Sequence, residues 1–95
     1  MAQLKAMKAL FAEHDVEGLI AEGAPRDEYD QEATEVVQKL KDLEFVQTKI
    51  DYVVVLKTLI AIWSESFNLK DAELEKRREN LSRLAGQVDE VWKNG

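Results

Sequence analysis

Residues Tyr52 to Trp63 form a run of twelve in which only Lys57 and Thr58 interrupt the apolar side chains. Such a run must be buried, and it is well short of the roughly 20 residues that cross a bilayer. Val53-Val54-Val55 favours strand on propensity alone. No other segment reads as a partner strand, however, and a lone strand leaves its backbone groups unsatisfied. Residues 50–56 are thus where strand and helix compete, and helix prevails over about Lys49 to Phe67. Leu56, Leu59, Ile60, Trp63 and Phe67 give it one fully apolar face. Ile50, Val53, Val54, Lys57, Ile60, Ala61 and Ser64 give a mixed one. Apolar residues on most sides predict a central helix that the others surround.

The rest of the chain supplies those other helices. Leu4, Met7, Leu10 and Phe11 recur at helical spacing, with Lys5 and Lys8 facing away, so a first amphipathic helix covers Ala2 to about His14. Asp15 is placed to cap a short further turn of helix, Val16 to Glu22, which Gly23 ends. Gly23-Ala24-Pro25 is the clearest break, because proline lacks an N–H and forces its predecessor into extended geometry. Asp30 then reads as the N-cap of a helix whose stripe is Ala33, Val36, Val37, Leu40 and Leu43. Residues 44–47 make a connection. Thr48 with Asp51 matches a capping box for the apolar helix. Asp71 reads as the cap of a last helix reaching about Trp92, with Glu73–Arg77 and Glu79–Arg83 as i,i+4 ion pairs on its surface. The expected fold is therefore all-α: residues 1–95 as a single domain, a compact four-helix bundle with a short extra helical turn after the first helix.

Charge is distributed very unevenly. Nine carboxylates and one guanidinium lie between Glu13 and Glu35, so this segment holds about −8 of a chain whose net charge is −6. The remainder is slightly basic. A sequence pI near 4.8 argues against nonspecific binding to nucleic acid or anionic lipid, which would repel the chain. The absence of cysteine removes disulfides, thiolate metal sites and a cysteine nucleophile, and fits a reducing compartment. Met1 to Phe11 carries no continuous apolar stretch and no cleavage signature, so no secretory signal is expected and a cytoplasmic location is the default.

From Gly23 the chain reads Gly-Ala-Pro-Arg-Asp-Glu-Tyr-Asp-Gln-Glu-Ala-Thr-Glu-Val-Val, through Val37. Together with Asp15, Gly18 and Leu19 before it, this resembles the signature of a small all-helical bacterial family, the YugE-like proteins of bacilli. Ile62-Trp63 and Phe67 resemble the aromatic end of that family's next helix. The chain departs from the pattern at His14-Asp15-Val16, where the family tends to have Trp-Asp-Pro. The resemblance implies a compact four-helix fold and implies no activity.

The acidic segment has three readings. It is a set of helix caps on a solvated surface, a docking surface for a basic partner, or a weak divalent-cation site at Asp27, Glu28, Asp30 and Glu32. Calcium loops need six to eight oxygens at set spacings that this segment does not match, so no metal is expected. His14, the sole histidine, has Ser64, Ser66 and Ser82 in the chain but no nucleophile motif around any of them. It is expected to close the first helix, where a partly protonated ring suits the dipole. Lys76-Arg77-Arg78 and Arg83 alternate with acids and lack interleaved aromatics, as a salt-bridged helix surface does. No phosphate loop, zinc pattern or dinucleotide fingerprint is present, so no cofactor is expected.

The function expected from these features is non-catalytic: a small protein-interaction domain whose acidic loop, residues 23–35, meets a basic protein surface. The candidate partner-binding residues are Arg26, Asp27, Glu28, Tyr29 and Asp30. Nucleic acid and membrane are not expected partners. An immunity-type inhibitor of a basic toxin is the specific alternative, followed by an enzyme or a self-associating structural protein.

Overall fold

The computed structural model describes residues 2–94. Four helices follow one another: α1 (Ala2–His14), α2 (Asp30–Phe45), α3 (Tyr52–Ser66) and α4 (Asp71–Asn94). Each helix packs on two others, α1 on α2 and α4, and α3 on α2 and α4, so the four form a closed ring. The molecule measures 38 × 28 × 19 Å. Its long axis matches α4, whose 24 residues span about 36 Å at ~1.5 Å each. Among the described residues no strand occurs, and the competition at 50–56 resolves as helix from Tyr52 onward. Among the described residues no helix is long and apolar enough to cross a membrane.

The core lies along the axis of the ring. Met7 and Phe11 enter it from α1, Ala33, Val36 and Leu40 from α2, Val55, Leu59 and Trp63 from α3, and Leu81, Leu84, Ala85 and Val88 from α4. These residues follow the three-four spacing read from the sequence. One expectation fails. α3 is not a central helix wrapped by the others, because in a four-membered ring every helix keeps an outward face. Leu56 and Ile60 are only half-buried, and Tyr52 and Val53 are exposed.

Three helix starts also move. The cap of α3 is Asp51, whose carboxylate accepts the Val54 N–H at 3.0 Å, and not Thr48. Thr48 is already committed to ending α2: its N–H bonds the Leu43 carbonyl while Gln47 N–H bonds that of Glu44. That closure puts Gln47 at φ 65°, left-handed backbone usually given to glycine. α2 begins at Asp30 itself, with Tyr29 as its cap, because the Tyr29 carbonyl already accepts the Ala33 N–H. α4 likewise begins one residue early: the Lys70 carbonyl accepts from Glu73 and Leu74, and the Glu73 carboxylate returns a bond to the Lys70 N–H. The segment after α1 is a chain of turns with one helical bond, Glu22 N–H to Gly18 O, closed at Gly23 as expected. Gly23 sits at φ 112°, where a side chain would be strained.

The two candidate caps of α3 give a direct test. Asp51→Ala should cost about 1 kcal/mol in urea unfolding, while Thr48→Ala should stay within ~0.5 kcal/mol of the parent.

Candidate functional site

Fifteen residues without regular secondary structure join α1 to α2, from Asp15 to Tyr29. Loops of this length are uncommon in compact domains and are usually functional or disordered. This one is held shut by its two ends. The Tyr29 hydroxyl donates to Asp15 Oδ1 at 2.6 Å. The other Asp15 lone pairs accept Ile20 N–H at 3.1 Å and Ala21 N–H at 2.9 Å. The Tyr29 oxygen in turn accepts Glu17 N–H at 3.1 Å. Asp15 thus caps the loop, not a regular helix, and does so from left-handed backbone at φ 43°.

A second clasp lies beside the first. Glu17 turns inward, its side chain only 7% exposed, and one oxygen, Oε2, accepts both the Trp63 indole N–H at 2.7 Å and the Arg77 Nε at 2.5 Å. Trp63 stacks on Tyr29 with ring centroids 5.8 Å apart and meets Phe11 edge-on at 5.7 Å. Phe67 closes the aromatic group. Arg77 was expected to pair with Glu73. It donates to the Glu73 backbone carbonyl instead and gives Glu17 its charge. Magnitudes explain the choice. An exposed i,i+4 pair contributes a few tenths of a kcal/mol. A buried carboxylate left without its cation costs about 3–5 kcal/mol. The Glu79–Arg83 pair, fully on the surface, forms as expected at 2.6 Å.

The nine carboxylates therefore divide. Asp15 and Glu17 are used by the clasps. Glu32, 7% exposed, lies inside the first turn of α2. Asp30 is half-buried and stands 3.7 Å from Lys8. Glu13, Glu22, Asp27, Glu28 and Glu35 face solvent, as does Arg26. Of the five candidate partner-binding residues, Arg26, Asp27 and Glu28 are exposed together at the end of the loop, with Asp30 behind them. Tyr29 is corrected: at 1% exposure it is out of a partner's reach and acts as the post on which the loop is mounted. Glu17 and Arg77 were missed. The legible signal was Trp63, because a buried indole N–H needs an acceptor and the chain offers few inward-facing ones.

Ionisation follows the geometry. Burial raises the Asp15 carboxyl, but the Tyr29 hydroxyl and the N–H groups of Ala21, Ile20 and Leu19 outweigh it, and the net shift is downward. Burial first, then Asp15, raises the Tyr29 hydroxyl well above its ordinary range, so it stays a donor. The bond to Glu17 raises the Arg77 guanidinium further. Burial also raises the Glu32 carboxyl, helped by the charges of Glu35 and Glu28 and opposed by its own N–H and the Ser66 hydroxyl.

His14 closes α1, and its ring Nε2 lies 3.1 Å from Gln87 Oε1. Among the described residues, no group of three or more His, Asp or Glu side chains is placed to hold a metal ion. Comparison with family models, with curated proteins and with solved structures returns no match for this chain.

The Asp15 and Glu32 carboxyls shift in opposite directions, and each gives a prediction. Tyr29→Phe removes the donor to Asp15 and the acceptor of the loop N–H groups, and should cost about 1–3 kcal/mol in chemical unfolding. The Glu32 carboxyl titrates higher in the folded state than its ordinary 4.5, so stability is lost as pH rises through that range. Glu32→Gln should therefore be more stable than the parent at pH 7, with the gap closing below pH 4.5. Asp15 has the opposite sign: its contribution is complete above 3.8 and is lost as pH falls through its lower folded value. Thermal unfolding between pH 3 and pH 7 checks both signs: parent against Glu32→Gln for Glu32, and parent against Tyr29→Phe for Asp15.

Proposed function

We propose that this chain is a non-catalytic interaction domain that presents Arg26, Asp27, Glu28 and Asp30 to a basic surface on a partner protein. The observation that carries the reading is the mounting of the loop. Asp27 and Glu28 are exposed, yet the chain on either side of them is tied to the core through Tyr29 and Glu17. Ordering a loop at the moment of binding costs free energy, and a loop already ordered avoids that cost. Glu13, Glu22 and Glu35 are exposed and add to the field. Such a field speeds encounter with a cationic partner and selects against anionic ones.

The test uses the immobilised chain beside its Asp27→Asn/Glu28→Gln/Asp30→Asn variant. Between ~0.1 M and ~1 M salt the screening length falls from about 10 to about 3 Å. A basic protein should be retained by the parent at the lower salt, released at the higher, and bound at least ~10-fold more weakly by the variant. Retention that ignores salt, or full binding by the variant, contradicts the proposal.

A further inference from the structure

Grooves open on the outer face of the ring between neighbouring helices. One, about 490 Å³, lies between α1 and α4, and among the described residues of its lining Glu90 is the charged one. Another, about 440 Å³, lies between α2 and α3. Its rim carries Glu35 and Asp42 on α2 and Glu65 on α3, all exposed, against one cation, Lys39. Its floor is Thr58, Ala61 and Ile62. Ala61 is exposed and Ile62 half-buried, so apolar surface is open at the bottom.

Spacing along α2 extends this groove. Glu35, Gln38, Lys39 and Asp42 recur at three and four residues, and the same face reaches Phe45 and Val46 at the end of the helix. Those two are 89% and 66% exposed, the most exposed large apolar side chains among the described residues. The face therefore runs from acidic at the loop end, where α2 starts and α3 stops, to apolar at the α2–α3 connection. α2 is 16 residues long, about 24 Å at ~1.5 Å each.

A surface with apolar floor, acidic rim and this length fits one chemistry. An amphipathic helix laid in such a groove buries one apolar stripe and points its polar flanks at the rim. Carboxylates on both walls select lysine or arginine on those flanks. We propose that the α2–α3 groove seats a cationic amphipathic helix of the partner, with its basic residues toward Glu35 and Glu65 and its apolar end against Phe45 and Val46. This rests on the reading of the acidic loop as the point of encounter and adds the element that gives affinity: long-range charge guides approach, and burial in the groove holds the partner. Among its described lining residues, the α1–α4 groove has Glu90 alone to make such a selection.

The probe is a designed Leu–Lys amphipathic helix of about 15 residues, matched to the length of α2, with a scrambled peptide of equal composition as control. Amide shifts of the nitrogen-15-labelled chain report the site. The helical peptide should shift Gln38, Asp42, Ala61 and Ile62. The scrambled peptide should leave these four unmoved. Ala61→Arg, at an exposed position, should weaken binding ~10-fold or more, and Glu65→Lys, also exposed, should weaken it in the same direction if the arginine disturbs folding. Shifts confined to residues 26–30, with unchanged affinity in Ala61→Arg and Glu65→Lys, overturn the groove and leave the acidic-loop reading standing. No shift at either surface overturns both. Groove shifts that grow with the concentration of the chain alone, without peptide, make a second copy the occupant and overturn the cationic helix.

Discussion

A fifteen-residue connection between two packed helices can be ordered only if its backbone and its charges find partners. Here two inward carboxylates provide them. Asp15 gathers the Tyr29 hydroxyl and two N–H groups, and Glu17 gathers the Trp63 indole and the Arg77 guanidinium. Each clasp joins parts of the chain far apart in sequence: α1 to α2 through Asp15 and Tyr29, and the loop to α3 and α4 through Glu17. All four helices thereby meet at one end of the molecule. Buried charge is worth keeping only when it is paired and hydrogen-bonded, and Glu17 is both. The stacked and edge-on rings of Tyr29, Trp63, Phe11 and Phe67 lie directly beneath, so polar clasp and apolar core end at the same point.

Much of this fold was legible in residue spacing. The apolar stripes of α1, α2 and α4 enter the core as their periodicity requires, and Gly23-Ala24-Pro25 breaks the chain where it should. The errors have physical causes. α3 looked central because apolar residues surround it, but Tyr52 and Val53 are spent at its exposed start. Thr48 matched a cap by pattern, yet it was already consumed in ending α2. Arg77 matched a local ion pair, and local pairs are worth too little to hold an arginine that a buried carboxylate can claim. Long-range polar partners carry no periodicity, so Glu17 and Arg77 gave no signal of their own. The need of the Trp63 indole for an acceptor was the one available clue.

The candidate site changed in kind. The acidic segment read as one charged surface of nine carboxylates. Folded, it has an inner layer that builds the loop and an outer layer that the loop presents. Tyr29, which seemed part of the outer layer, belongs to the inner one. Asp15, Gly18, Gly23 and Tyr29 set the backbone of this inner layer. The residues we propose for recognition are Arg26, Asp27, Glu28 and Asp30, with the groove between α2 and α3 leading away from them. A rigid mount beneath exposed charge is the arrangement that lets electrostatics act without an ordering cost.

The central claim is that the clasps hold the loop as firmly as the helices hold one another. Native-state hydrogen exchange of the Glu17, Ile20 and Ala21 amides measures this directly, because their acceptors are the Tyr29 hydroxyl and the Asp15 carboxylate. The account predicts that these three exchange slowly and share the opening free energy of core amides such as Leu59 and Leu84. Fast exchange at all three, while the core amides remain protected, would mean that the loop opens on its own and would contradict it.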